Sequence, residues 1–359
     1  MNKFVSTALG LAVVGSIGAA DPSDGNSDWL GLDSGINDLA SLAPAQGDGS
    51  GWSVLLRTFY GNATDDISTG GGNDLNGFDF NDIDVAFWGS VGDFSYRVNG
   101  DLDDGDFELE DAWVRWNCTA GVATQLGQMK PNVLRSGIID PENTLFLDRT
   151  TLGSAFDGWD VGAQASGEVG GSGFSWCFGL FNGVTGEEND HFWTARIDYS
   201  FGEGAGTYEG ARGKGDGFNG TVGLAVTNDD GISGDALNQY VDFNGNVGQF
   251  GFGVDFGIMD DDSVGFTNED LGWTVTPFVL EGDSNPFAAT GSFLINPEWE
   301  VGVRFEDLDD SNDTSLVTAG VSHYKNGNDA KWQAQFTDVS SDADEGSFFQ
   351  IGLTVGATR

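Results

Sequence analysis

Two cysteines, seven prolines and two histidines in a chain of 359 residues leave several classes of protein without their material. Cys118 and Cys177 are too few to act as a disulfide framework for a chain this long, and their spacing says nothing about a bridge between them. His191 and His323 have no serine or cysteine motif beside them, and no zinc-type ligand spacing occurs. The sequence therefore suggests no catalytic residues, no metal site and no cofactor. A barrel enzyme is only a third hypothesis. Basic residues are scarce as well. Lys and Arg total 14 against 57 Asp and Glu, a net charge of −43, which repels nucleic acid and disfavours any role there. Acidity of this kind also suits high-salt surroundings, where self-repulsion is screened. After residue 20 no apolar run approaches the ~20 residues of a membrane helix. No Pro-rich or Ser-rich linker divides the chain, so one large unit is expected.

What is present begins with Lys3, followed by an uncharged stretch from Phe4 to Ala20 that ends Gly18-Ala19-Ala20 before Asp21. That layout predicts a cleavable secretory signal over 1–20 and hence an exported protein. Residues 21–51 differ in kind. Leu32, Ile36, Leu39 and Leu42 have approximate helical spacing, consistent with a periplasmic arm or a partial plug. The remainder, 52–359, carries most of the 57 glycines, 27 phenylalanines and 11 tryptophans, a composition suited to many short strands and turns.

The main signal in 52–359 is period-two alternation. Trp52, Val54, Leu56, Thr58 and Tyr60 alternate with Ser53, Leu55, Arg57 and Phe59. Trp193, Ala195, Ile197, Tyr199 and Phe201 alternate with Thr194, Arg196, Asp198 and Ser200. Trp299, Val301, Val303 and Phe305 alternate with Glu300, Gly302, Arg304 and Glu306. One face is apolar with rings at the strand ends, as on the lipid side of a membrane barrel. Arg57, Arg97, Arg115, Arg196, Arg304 and Lys331 fall mid-strand on the polar parity. An arginine facing lipid at the midplane costs about 2–4 kcal/mol, whereas one facing a wet lumen costs little. The predicted fold is an all-β transmembrane antiparallel barrel of sixteen strands, with eighteen the next count. Its site is the outer membrane of a two-membrane envelope, in contact with lipid. The alternative is a secreted acidic β-sandwich or surface-layer protein that binds calcium. Acidic clusters at 62–77, 183–191, 203–217, 228–236, 259–270, 307–314 and 338–346 read as loops, the longer ones facing outside. Gly70 to Leu75 resembles one copy of a calcium-binding nonapeptide, but such helices need stacked copies.

The stretch from Glu110 to Gly167 resembles the phosphate-selective porin O and P family. The residues that carry the likeness are Leu109 to Val114, then Leu126-Gly127-Gln128-Met129-Lys130-Pro131, then Phe146-Leu147-Asp148-Arg149, then Trp159 to Gly162. Glu300 to Glu306, Thr318 to Tyr324 and Gly327 to Gln333 are similar to the family's late strands. The resemblance implies a sixteen-stranded barrel, usually trimeric, with the loop after Lys130 folded inward to narrow the pore. The chain departs from the pattern by ending on Arg359 rather than an aromatic, and its loop offers only Lys130, Arg135 and Arg149 as cations.

These residues are the candidates for the positive side of a constriction, sharing the loop with Asp140, Glu142 and Asp148. Arg149 equally suits a structural ion pair that pins the loop. Arg57, Arg97, Arg115, Arg196, Arg304 and Lys331 are the candidate pore lining. They form either a basic strip or a plain balance for acids such as Asp111, Asp198, Glu300 and Glu306. The predicted function is diffusion of ions and small hydrophilic solutes, through a mouth that the acidic loops make attractive to cations.

Overall fold

The structure, a computed structural model, describes residues 49–63, 77–102, 107–119, 121–183, 191–213, 215–229, 236–261, 266–267, 279–342 and 345–358. The expected signal over 1–20, nearly all of the 21–51 segment and the Gly70 to Leu75 stretch lie outside the described residues. The alternating segments form β1 (Gly51–Ala63), β2 (Gly77–Val91), β3 (Phe94–Asp101), β4 (Glu108–Thr119), β5 (Val122–Met129) and β6 (Asp160–Glu168). They continue as β7 (Phe174–Phe181), β8 (Phe192–Phe201), β9 (Phe218–Asp229), β10 (Leu237–Val247) and β11 (Phe250–Ile258). Two short strands, β12 (Phe266–Thr267) and β13 (Val279–Leu280), pair with each other and, among the described residues, with no other strand. Then come β14 (Phe287–Asn296), β15 (Trp299–Asp307), β16 (Ser315–Tyr324), β17 (Ala330–Ser340) and β18 (Gly346–Thr358).

Sixteen of these strands form one closed antiparallel ring, each paired with its sequence neighbours, β11 with β14 across the outlying pair, and β18 returning to β1. Ring closure excludes the β-sandwich, which would leave free edges and bury its apolar face. Here that face points outward. Val303 is 54 % exposed, flanked by exposed Val301 and Phe305, while Glu300, Arg304 and Glu306 between them are buried inside. Burial is therefore inverted relative to a soluble protein, as a lipid-facing wall requires. Lys331, Gln333 and Gln335 likewise point in, while Trp332 and Phe336 point out.

Strand direction alternates around the ring, so connections fall alternately on two rims. One rim carries short turns. Gly92, with φ +60°, takes the left-handed position in the two-residue turn between β2 and β3. Rings pair near this rim: Phe94 with Trp116, Phe174 with Tyr199, Phe201 with Phe218, and Phe250 with Phe293. Trp299 stacks on His323 at 4.0 Å in the same zone. A belt of rings at strand ends is the expected anchor at a membrane interface. Cys118 lies on β4 and Cys177 on β7, and both are free thiols.

The outward parity sets a stability test. Val303→Arg places a guanidinium in the middle of the apolar band and is expected to cost about 2–4 kcal/mol. Guanidinium-induced unfolding from lipid vesicles measures it, and an unchanged midpoint would show that this face is not in lipid.

Candidate functional site

The acidic loops contrast with residues 130–159, the connection between β5 and β6. This segment carries Val133, Leu134, Leu145, Phe146, Leu147, Leu152 and Phe156, all buried. A loop this apolar gains by leaving water, at about 1.5–3 kcal/mol for each large side chain fully buried. It turns into the barrel. Two short helices, α1 (Arg135–Ile138) and α2 (Thr151–Ser154), frame it. Val133, Leu134, Leu152 and Phe156 join inward-facing Tyr240, Leu316, Val339 and Phe348 in an apolar cluster inside the ring. Tyr240 and Phe156 meet edge to face at 4.9 Å.

The apex docks where the opposite wall lacks side chains. A Cβ at Gly302 would lie 2.8 Å from Leu145 and 3.1 Å from Phe146, one at Gly320 3.0 Å from Phe146, and one at Gly352 2.5 Å from Leu147. Around this pocket the wall donates to the segment's own carbonyls. Lys331 Nζ reaches Thr144 O at 2.6 Å, Ser322 Oγ reaches Leu145 O at 2.7 Å, and Arg57 Nη2 reaches Leu147 O at 2.5 Å. Arg304 donates to Asp148 O at 2.9 Å, and Arg196 to Val133 O at 2.5 Å. In the other direction Thr151 N donates to Glu306 at 2.6 Å, and Thr150 Oγ1 to Asp255 at 2.7 Å. Four of the six candidate lining cations thus hold the segment, and each of Arg57, Arg196 and Arg304 also pairs with a wall acid. Of the other two, Arg97 pairs with Asp111 at 3.0 Å, and Arg115 reaches Ser166 at 3.4 Å.

The candidate constriction residues divide. Arg149 is 7 % exposed, pairs with Asp157 at 2.5 Å and donates to Ser136 O and Ile139 O, so it ties the segment to itself. Asp148 accepts from Gln335 at 2.9 Å, and burial raises its carboxyl above the usual range, with Arg304 and Arg57 opposing. Lys130 pairs with the same Asp157 and lies 4.1 Å above the Trp159 ring. Arg135 donates to Gly206 O. Asp140 is exposed, Glu142 is half-buried, and burial followed by the nearby Asp140 charge pushes the Glu142 carboxyl up.

A second segment also folds inward. The acidic stretch 203–217 was expected outside with the long loops. It connects β8 to β9 on the short-turn rim and folds into the ring from that side. Glu209 accepts from Leu145 N at 2.7 Å, its own N–H donates to Asn143 O at 3.0 Å, and Ala211 N donates to Glu300 at 2.6 Å. Segments from the two rims therefore meet within the barrel. The composition of 203–217 marks it as a loop but carries no sign of which rim it leaves.

The larger open space described lies along the β1–β6 wall. A cavity of about 710 Å³ is bordered by Ser90 and Ser95 near the turn rim and by Asp157 and Trp159 at the root of the inward segment. Its wall acids are Asp82, Asp84, Glu110 and Asp111, the inward segment adds Asp140, Glu142 and Asp157, and Asp329 lies near the turn rim. Against these eight stand two bases, Arg97 and Lys130, both already paired with acids of the same lining. Two bulges set this wall. Between Val98 and Gly100 the β3–β4 register slips by one residue, placing Glu110 and Asp111 together opposite Asn99. Between Arg57 and Thr58 a similar slip aligns Asp82 with Arg57. A second cavity of about 470 Å³ lies on the β7–β9 side, bordered by Arg135, Arg196, Asp198 and Glu203.

No protein family matches the chain by sequence, and no curated protein matches it. Solved structures do. A loop L8 deletion mutant of OmpT, an outer membrane protein of Vibrio cholerae, aligns with a TM-score of 0.55 at 16% identity, covering 86% of this chain and 100% of that one. OprB of Pseudomonas putida gives 0.55 at 10% identity, covering 92% and 97%. OccAB4 of Acinetobacter baumannii gives 0.51 at 12% identity, covering 88% and 100%. At these identities the likeness is one of fold: the chain has the build of an outer-membrane barrel.

Proposed function

We propose that the protein is an outer-membrane porin in which residues 130–159 form the constriction, passing small hydrophilic solutes and preferring cations. The observation that carries this reading is the 710 Å³ cavity with eight carboxylates and two paired bases on its lining. A narrow aqueous path with a surplus of fixed negative charge concentrates cations and repels anions. The same lining speaks against a phosphate filter, because the cations that a phosphate would need are spent on the inward segment. The Arg149 guanidinium is closed off by Asp157 and two carbonyls. The homotrimer implied by the family resemblance belongs to this proposal and is read by cross-linking in native membranes.

Planar-bilayer recording of the detergent-purified barrel tests it. Stepwise conductance with a reversal potential of cation sign in a KCl gradient is the expected result. A reversal of anion sign would return the filter to Lys130 and Arg135. A folded, inserted barrel that never conducts would overturn the pore.

A further inference from the structure

Three carboxylates from adjacent strands converge, two of them, Asp84 and Glu110, on the lining of the larger cavity. Asp84 on β2, Asp101 on β3 and Glu110 on β4 each bring one oxygen within 4.8 Å of the others. Strand register makes this happen: Asp84 is the direct cross-strand partner of Asp101, and the β3–β4 bulge turns Glu110 inward opposite Asn99. The neighbouring acids Asp82, Asp111 and Asp157 pair with Arg57, Arg97 and Lys130, so each local base has a carboxylate partner outside the cluster. Like charges this close repel.

A second feature points at the same spot. Asn99, 5 % exposed, turns its amide onto Glu110 and donates to Oε2, which leaves its Oδ1 buried with no hydrogen-bond partner. Asp84 Oδ1 is also buried without one. Buried oxygens left without a donor are costly, and a bound ion is one of the few things that relieves several at once.

We infer that Asp84, Asp101, Glu110 and Asn99 form a Ca²⁺ site in the lumen wall. The donors are all oxygen, three carboxylates and an amide carbonyl, with no imidazole or thiolate of the kind zinc sites use. Calcium takes 6–8 such ligands in loose geometry, with water from the cavity completing the shell, whereas magnesium demands a tight octahedron. The site stands on the wall geometry and holds whether or not the lumen conducts.

Terbium(III), a luminescent stand-in for Ca²⁺, provides the test on the detergent-folded full chain, with excitation through tryptophan. Trp113 lines the same cavity. Saturable sensitised emission that Ca²⁺ displaces is expected. Asp84→Asn with Glu110→Gln weakens apparent affinity at least about tenfold, while Asp93→Asn on the exposed β2–β3 turn leaves it unchanged. Should the double variant fail to fold, Asn99→Leu decides, since it keeps every carboxylate and removes the amide oxygen together with the Nδ2 donor to Glu110. Absence of displaceable emission, or wild-type affinity in these variants, overturns the site. Emission without conductance counts against the pore alone, and conductance without displaceable emission against this site alone.

Discussion

Leucine at Gly302 and Gly320 is expected to raise single-channel conductance roughly two- to threefold, by driving the inward segment off the far wall. Even a bare Cβ at these positions stands 2.8–3.1 Å from Leu145 or Phe146 atoms, so a branched side chain cannot share the pocket with the apex. The displaced apex loses the burial of Phe146 and Leu147, about 1.5–3 kcal/mol each, together with the carbonyl contacts from Lys331 and Ser322. Nothing on the outer face changes, because both glycines lie on the lumen parity of β15 and β16, so insertion should be normal. Conductance in bilayers is the readout. Channels of wild-type size from the inserted double variant would mean that this segment does not limit flow.

The second large effect concerns sign rather than size. Asp140→Asn with Glu142→Gln removes two of the three acids that the inward segment holds across from the acidic wall. Cation-over-anion permeability is expected to fall by about three- to tenfold, since one unit charge at contact range is worth about 1 kcal/mol in a watery path. Acid should mimic the substitution. The Glu142 carboxyl is held up by its burial and by Asp140, so it takes up its proton at a higher pH than an ordinary glutamate. On acidification, cation preference should begin to drop above the usual carboxylate range, and the Glu142→Gln barrel should lose that early part of the drop. Reversal potentials measured across a pH series check both. A flat profile in the wild type would remove Glu142 from the filter.

The barrel itself was legible because a strand repeats every two residues and lipid demands one apolar face. Trp299, Val301, Val303 and Phe305 state that rule without help from the rest of the chain. The inward aim of Arg57, Arg196, Arg304 and Lys331 followed from the same parity. Their targets did not follow, because Lys331 meets a carbonyl 187 positions away and Arg196 one 63 away. Gly302 and Gly320 could be seen as gaps in the polar row, but a gap acquires meaning only once Phe146 is known to fill it. The acidic wall was hidden by bulges. Strict alternation assigns Glu110 and Asp111 to opposite faces, and the one-residue slip at Asn99 that puts both in the lumen leaves no mark in composition. Asp82 and Asp84 could have been found, since they share a parity on β2 opposite Ile83 and Val85.

The seam between β1 and β18 joins Ser53 to Thr358, nearly the full span of the described chain. Every other neighbouring pair on the ring lies much nearer in sequence, so this seam carries the largest loop-closure entropy. It is the natural last step of assembly. Until it forms, β1 and β18 present long unpaired edges, the kind of template on which other chains add strands. Pairing of the thirteen-residue β18 with β1 therefore decides whether the polypeptide closes into a ring or stays an open, sticky sheet. Protection of these two edges thus matters until Thr358 meets Ser53.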